Sequence, residues 1–593
     1  MSASHIAERG ASYALPAAME LAFGATFDLL ATAPQGVAKL RELILLLAVR
    51  GKLVPQDPDD ENAEILLGRL RANKENLAAA GLIKRSKAMV LVSNDEKFFE
   101  LPDTWAWTRF DTVVNNSEAG WSPSCDGGQR QDGTWGVLKV SAVSWGEFRS
   151  YENKQLPAAL KPRPEYEVHA GDFLISRANT AELVARSVVA KNPGAKLMLS
   201  DKIIRLDISI LADREYFNIV NNAQSSRDYY AANASGTSSS MKNVGREVIL
   251  SMPVPMPPLA EQARIVARVE ELMQLCDGLE AHGRLQDKQH ARLVATLFDA
   301  LAASESADAL AENWQRIATH FDLLLDRPEA VDALEQTLLQ LAVRGLLVPQ
   351  DPTDEPASEL LCRLEEERSR LLATGEIKRD RKLPTIEDDA PLSNLPAGWS
   401  LARLGSLANF IDYRGRTPVK TSEGVPLITA KNVRMGHIDR QPHEFIASDQ
   451  YSSWMTRGIP RIGDLLFTTE APLGNVAAID IPGRFALAQR VICFALFEPR
   501  MSEFLKYLLM SADMQVEFSR QATGVTAQGI KSARLQLISL PVPPLAEQRR
   551  IVARVEQLRR LCANLRERLQ QSRTTQSQLA EALVSAAAQS PAC

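Results

Sequence analysis

The sequence predicts an α/β (α+β) protein built twice. Two mixed α/β inserts are joined by long matching helices that form an antiparallel intramolecular coiled coil, under a pseudo-two-fold internal repeat. Three observations carry this expectation. Blocks of near-identical sequence recur at shifts of 294 and then 286 residues, a heptad pattern follows the last block of each half, and the segments between the blocks change to short strand-like runs.

Residues 48–58 read AVRGKLVPQDP and residues 342–352 read AVRGLLVPQDP. The same shift aligns Leu101-Pro102 and Trp105 with Leu395-Pro396 and Trp399. Further on, PPLAEQARIVARV at 257–269 matches PPLAEQRRIVARV at 543–555. Between the blocks only echoes survive, such as Gly171-Asp172-Phe173-Leu174 against Gly463-Asp464-Leu465-Leu466. Similar flanks imply one architecture made twice, and dissimilar inserts imply that it presents two different surfaces.

In chain order the expectation is a helical flank over 1–100, a first insert over 101–255, a long helix over 256–303, a second helical flank over 304–394, a second insert over 395–540 and a second long helix over 541–593. Within the flanks, amphipathic helices are predicted at 37–50 and 331–344, stopped by Gly51 and Gly345 as C-terminal glycines. A second pair follows at about 60–80 and 355–374.

The segment after each PPLAEQ reads as a helix. Prolines stand where a missing N–H costs nothing, and Glu261 and Glu547 fall in the first turn, where a negative charge suits the helix dipole. Apolar residues then recur at steps of four and three: Ile265, Val269, Leu272, Cys276 and Leu279 in the first half, Ile551, Val555, Leu558, Cys562 and Leu565 in the second. That is a heptad seam. The register extrapolates to Leu293, Leu297 and Ala300, and to Leu579 and Leu583, past polar patches at Gln286 and His290 and at Ser572 and Gln576. Two such seams in one chain can bury each other, although each could also pack as ordinary core on its own half.

The inserts hold runs such as Val137-Leu138 and Leu427-Ile428, punctuated by turn residues. Residues 105–250 contain 17 Lys+Arg against 16 Asp+Glu, and residues 399–540 contain 16 against 12, so the rest of the −5 chain is acidic. An acidic frame around neutral-to-basic inserts suits a protein that meets nucleic acid through the inserts.

Apolar residues are 45% and charged residues 24%, which excludes disordered and collagen-like chains. Apolar runs such as Leu43–Val49 are far short of the ~20 residues of a membrane span. No leader segment is visible, and six scattered cysteines suit reduced thiols in a cytoplasmic protein. There is no phosphate-cradling Gly-x4-Gly-Lys, no His-Glu-x-x-His, no Gly-x-Ser-x-Gly, no metal-ligand spacing and no aminomethyltransferase signature. The chain reads as a binding and scaffolding protein without a catalytic centre or a metal site.

In these residues the chain resembles the specificity subunit of type I restriction–modification systems. The carriers are LPVPPLAEQRRIVARVE at 540–556 with its twin at 256–270, AVRGKLVPQDP, the Leu-Pro-x-x-Trp that leads into each insert, and Gly-Asp-Phe/Leu-Leu within it. The resemblance covers about residues 20 to 585. It implies that the inserts are target recognition domains, each reading half of a split, asymmetric site in double-stranded DNA. The helices would set the spacer, and the flanks would dock two modification (methyltransferase) subunits. Restriction (helicase–nuclease) subunits would join for cleavage. The chain would bind no cofactor itself: S-adenosylmethionine belongs to the methyltransferase, and ATP and Mg to the restriction partner.

Candidate DNA contacts are residues whose types pair with base edges or phosphates. In the first insert they are Ser176, Arg177, Asn179 and Thr180, directly after the Gly-Asp-Phe-Leu run, and Lys242. In the second they are Tyr413, Arg414, Arg416, Lys431, Asn432 and Lys531. Each also admits the plain reading of a solvated loop or turn. Two readings from other classes stay open on the residues alone: a coiled-coil scaffold whose inserts bind protein, and a self-contained restriction or modification enzyme with unrecognised motifs.

Overall fold

A computed structural model describes residues 30–589 apart from 32, 86–89, 126, 145, 237–240, 378–382, 385, 387–394, 414–417 and 525–527. The chain divides into two compact units. One comprises residues 1–285 with 573–593, the other residues 286–572.

In the first unit the flank helix Gly36–Val49 buries Leu40, Leu43, Ile44 and Leu47, one face at three- and four-residue steps. It ends at Gly51, whose φ of 68° and close approach to Pro102 and Trp105 leave no room for a side chain. The helix Ala63–Ala79 follows, its first turn capped by the Asn62 side chain accepting from Glu64 N. Strand Ala106–Arg109 pairs antiparallel with Pro253–Met256, so the insert leaves and returns at one two-stranded clasp. Inside it, strands Val114–Ala119, Ile203–Ile208, Phe173–Ser176 and Ser187–Val189 form an antiparallel sheet in that spatial order. A smaller sheet combines Gly136–Leu138 with Asn153–Gln155 and Leu197–Met198. Helices Arg214–Asn222 and Gln224–Asn233 contribute Tyr216, Phe217 and Tyr230 to a core shared with Phe110 and Phe173.

The second unit repeats this plan. Its flank helices are Pro328–Val343 and Ala357–Ala373, and its clasp is Ser400–Arg403 against Ser539–Val542. Its large sheet runs Ala408–Asp412, Val491–Leu496, Leu465–Thr469, Leu473–Ala478, again all antiparallel. A three-stranded sheet is again built from one antiparallel and one parallel pair. Two inserts that align only at a few residues thus carry one sheet order.

The long helices span Leu259–Ala302 and Leu545–Gln589. The unit boundary cuts each one at its polar patch, between Leu285 and Gln286 and between Ser572 and Arg573. Ile265, Val269, Leu272 and Cys276 join the first unit's core, which also takes in Ala580 and, partly buried, Leu279 and Val584. Ile551 and Val555 are buried against the second insert and its flank. Further along the same helix, Leu558, Cys562, Leu565 and Leu569 share a core with Val294, Phe298 and Leu301. Each seam therefore begins as core of its own half and continues as helix-on-helix packing. A flank helix also lies along it: Arg559 and Arg566 bond Glu335 at 2.6 and 2.9 Å, and Arg41 bonds Asp277 at 2.6 Å.

The extrapolated register needs correction. Leu293 is 51% exposed and Leu579 is 45% exposed, whereas Val294 and Ala580 are buried. The reason is geometric. A strict heptad drifts about 20° per repeat on a straight helix of ~3.6 residues per turn, so after four repeats the buried line moves on by one residue. Residues 265 and 294, and likewise 551 and 580, are 29 apart, about eight turns. Leu293→Gln and Leu579→Gln are therefore expected to change stability by no more than about 0.5 kcal/mol. A loss above ~2 kcal/mol in chemical denaturation would restore the strict heptad.

Candidate nucleic-acid interface

The repeated flank motifs meet in a buried node rather than at a binding surface. The Glu261 carboxylate, 1% exposed, accepts from Trp105 Nε1 at 2.9 Å and from Gln56 Nε2 at 2.6 Å. In the second unit Glu547 accepts from Trp399 Nε1 at 3.0 Å and from Gln350 Nε2 at 3.4 Å. Burial pushes both carboxyls above their ordinary range, against the pull of these donors. Gln262 and Gln548 each donate to a proline carbonyl five residues back, at 3.0 and 2.9 Å. Arg264 bonds Asp60 and Arg550 bonds Asp354 beside the node. VPQDP, Leu-Pro-x-x-Trp and PPLAEQ are thus three parts of one lock tying flank, insert and long helix. The Glu-Gln pair does more than begin a helix.

The variable loops converge elsewhere, on a small ribbon at the end of the large sheet. In the first insert Arg177 N donates to Lys202 O at 2.9 Å, and Val244 N donates to Arg177 O at 2.9 Å. Ala178-Asn179 pairs antiparallel with Lys242-Asn243, and Ser235 and Asn243 exchange backbone bonds at 2.8 and 2.9 Å. The second insert has the same frame. Thr469 N donates to Arg490 O at 3.0 Å, Ile530 N to Thr469 O at 3.0 Å, and Thr523 and Gly529 exchange bonds at 2.9 and 3.0 Å. The frame equates Arg177 with Thr469, Ala178 with Glu470, Lys202 with Arg490, and Asn243 with Gly529.

The two ribbons differ in what they present. Arg177 and Lys202 are exposed, and neither side chain has a partner among the described residues. Lys242 bonds Gly236 O at 2.6 Å, and the Asn243 side chain is half-buried. In the second ribbon Thr469 is buried, and Glu470 forms an ion pair with Arg490 at 2.7 Å. Arg490 and the neighbouring Ala471 have φ of 74° and 45°, a conformation that is costly for residues other than glycine and tends to collect where a loop is held for use.

Three candidate contacts are corrected by burial. Ser176 lies in a strand interior, fully buried, with its hydroxyl donating to Leu183 O at 3.0 Å. Tyr413, 1% exposed, donates to Gly458 O at 3.0 Å, accepts from Arg457 N at 2.9 Å and stacks on Trp454. Asn432, also 1% exposed, accepts from Thr429 N and donates to the carbonyls of Asp439 and Pro442. These residues hold turns in place. Asn179 and Thr180 are half-buried, and the Asn179 amide donates to Ser144 Oγ at 2.8 Å, so its part is to fix the ribbon. Lys431 and Lys531 are exposed. Arg414 and Arg416 lie outside the described residues. Lys202, Asn243 and Arg490 were not among the candidates. They sit on other strands, and only the sheet's hydrogen bonds bring them to the ribbon.

Among the described residues no group of three His, Cys, Asp or Glu could hold a metal ion, and no helix is long and apolar enough to cross a membrane.

Several known proteins are similar to this chain. The model of the type I restriction modification DNA specificity domain matches residues 396–572. The chain is 34% identical over 565 residues to the type I restriction enzyme EcoAI specificity subunit of Escherichia coli, covering 93% of this chain and 94% of that protein. It is 32% identical over 584 residues to the EcoEI specificity subunit of the same organism, with the same coverage of both chains. Among solved structures, the HsdS subunit from Thermoanaerobacter tengcongensis covers 83% of this chain and 98% of its own, at 19% identity and a TM-score of 0.39.

Proposed function

The chain belongs to the family of type I restriction enzyme specificity subunits, and from that premise we propose that its two ribbons are the reading edges of two target recognition domains, each taking one half of a bipartite, asymmetric DNA site. The domains are residues 101–255 and 395–540. The observation that carries this reading is the matched pair of ribbons: one backbone frame, made twice, carrying different side chains. One frame gives the same approach to a duplex, and different side chains give different half-sites.

The subunit confers sequence specificity and performs no chemistry of its own. The long helices, at 256–303 and 541–593, run antiparallel and set the spacer between half-sites. What supports this is the crossed membership of the cores, since the start of each helix shares a unit with the end of the other. The helical flanks at 1–100 and 304–394 dock two methyltransferase subunits. These bring S-adenosylmethionine to an adenine in each half-site, turned out of the stack once the duplex is held. Restriction subunits, using ATP and Mg, complete the cleaving assembly in the cytoplasm.

The test is co-expression with the neighbouring methyltransferase and methylome sequencing of the host. The expected result is one split motif with methyladenine in both halves, lost when this chain is deleted. A stable methyltransferase complex with no motif dependent on this chain would overturn the reading.

A further inference from the structure

The acid on the second ribbon is the least expected side chain for a surface that meets DNA. A carboxylate near a phosphate backbone is repelled, and the seven other equivalent positions on the two ribbons carry a cation, an amide, glycine, threonine or alanine. Glu470 is nonetheless held at the ribbon by three constraints. Its backbone bridges Gly529, its side-chain Cβ and Oε2 lie 3.4 Å from where a Gly529 Cβ would stand, and its carboxylate meets the Arg490 guanidinium at 2.7 Å. The pair is about a third to a half exposed, so it lies at the surface and is not core. An exposed ion pair of this kind contributes little to stability, about 0–1 kcal/mol, so holding the fold does not account for it.

We infer that Glu470 is a specificity-determining residue of the second target recognition domain, accepting a hydrogen bond from the exocyclic N4 amino group of a cytosine in the major groove. The inference rests on the ribbon being the reading edge. A carboxylate only accepts, so the base edge must donate. In the major groove the donors are the amino groups of cytosine and adenine. Adenine sets an acceptor, N7, beside its amino group, which repels a carboxylate and suits an amide. Cytosine presents the donor without that acceptor. Arg490 cancels the charge of Glu470 towards the phosphates and keeps the carboxylate aimed. At the equivalent place the first ribbon has Ala178 beside Arg177, a donor suited to the acceptor edge of guanine.

The experiment is methylome sequencing of hosts carrying the methyltransferase complex with the wild-type chain, with Glu470→Gln and with Glu470→Ala. The wild-type motif should contain a cytosine in the half-site read by the second domain. With Glu470→Gln, that one position should admit adenine while the first half-site is unchanged. With Glu470→Ala, the position should relax to any base. That complex should also bind unrelated duplex several-fold more tightly at low salt, because Arg490 is left free to take a phosphate. Unchanged motifs in both variants overturn the inference. So does loss of all methylation in both, which would make Glu470 a residue of the fold. Absence of any split motif with the wild-type chain is a different failure, that of the proposed function itself.

Discussion

Glu261→Ala should lower the stability of the first unit by about 1–3 kcal/mol, and Glu547→Ala should do the same to the second. The substitution strips the acceptor from one buried donor, Trp105 Nε1, and removes a bond from Gln56 Nε2, which is exposed and also reaches Gly51 O. Each buried donor left without a partner costs roughly 1–3 kcal/mol. Part of that loss is offset, because the carboxylate itself is held in a place where burial disfavours its charge. Glu261→Gln separates the two effects: it keeps an acceptor, removes the charge, and should cost no more than about 1 kcal/mol. Trp105→Phe removes one donor and its partner's bond while keeping the ring, and falls between. Denaturant unfolding followed separately in each unit reads all of these. The node explanation fails if Glu261→Ala costs less than 1 kcal/mol, or if it weakens the second unit as much as the first.

That node shows what the sequence makes legible and what it hides. Gln56, Trp105 and Glu261 are visible as members of repeated blocks, and the repetition says that each block is needed twice. That they touch is not visible, because the contacts span 156 and 205 positions along the chain. Helices were legible to within a few residues, since their apolar spacing is local. The seam was legible through Leu279 and Leu569 and then misplaced by one at Leu293 and Leu579, because a sequence repeat of seven does not state whether the helix supercoils or runs straight. At the ribbon, residue types were a partial guide. Arg177 and Lys531 are exposed, as a side chain that meets DNA has to be. Ser176, Tyr413 and Asn432 have polar side chains that the fold spends on its own carbonyls. Lys202 and Arg490 carried no local signal at all. They arrive 25 and 21 residues after their partners, on the strands next to them in the sheet.

The largest functional effect is expected at that first ribbon, where Arg177 and Lys202, neither side chain with a partner among the described residues, are joined by a backbone bond, and different losses follow from each. Arg177 carries a planar fork of donors that matches the O6 and N7 acceptors of guanine, so Arg177→Ala should cost about 1–3 kcal/mol of discrimination and relax the motif at one position of the first half-site. Lys202 is a point charge on a flexible stem, one strand away. It suits a phosphate, so Lys202→Ala should weaken target and unrelated duplexes alike and reduce the slope of log K against log salt by about 1. Arg177→Lys completes the argument, because a lysine keeps the charge and loses the fork. If it restores affinity but not discrimination, the guanidinium reads a base. Equal weakening of every duplex by Arg177→Ala would place this residue on the backbone instead, and no change in either variant would remove the ribbon from the interface. The second half-site should keep its readout throughout, since its own ribbon is built from Glu470 and Arg490 in the other unit.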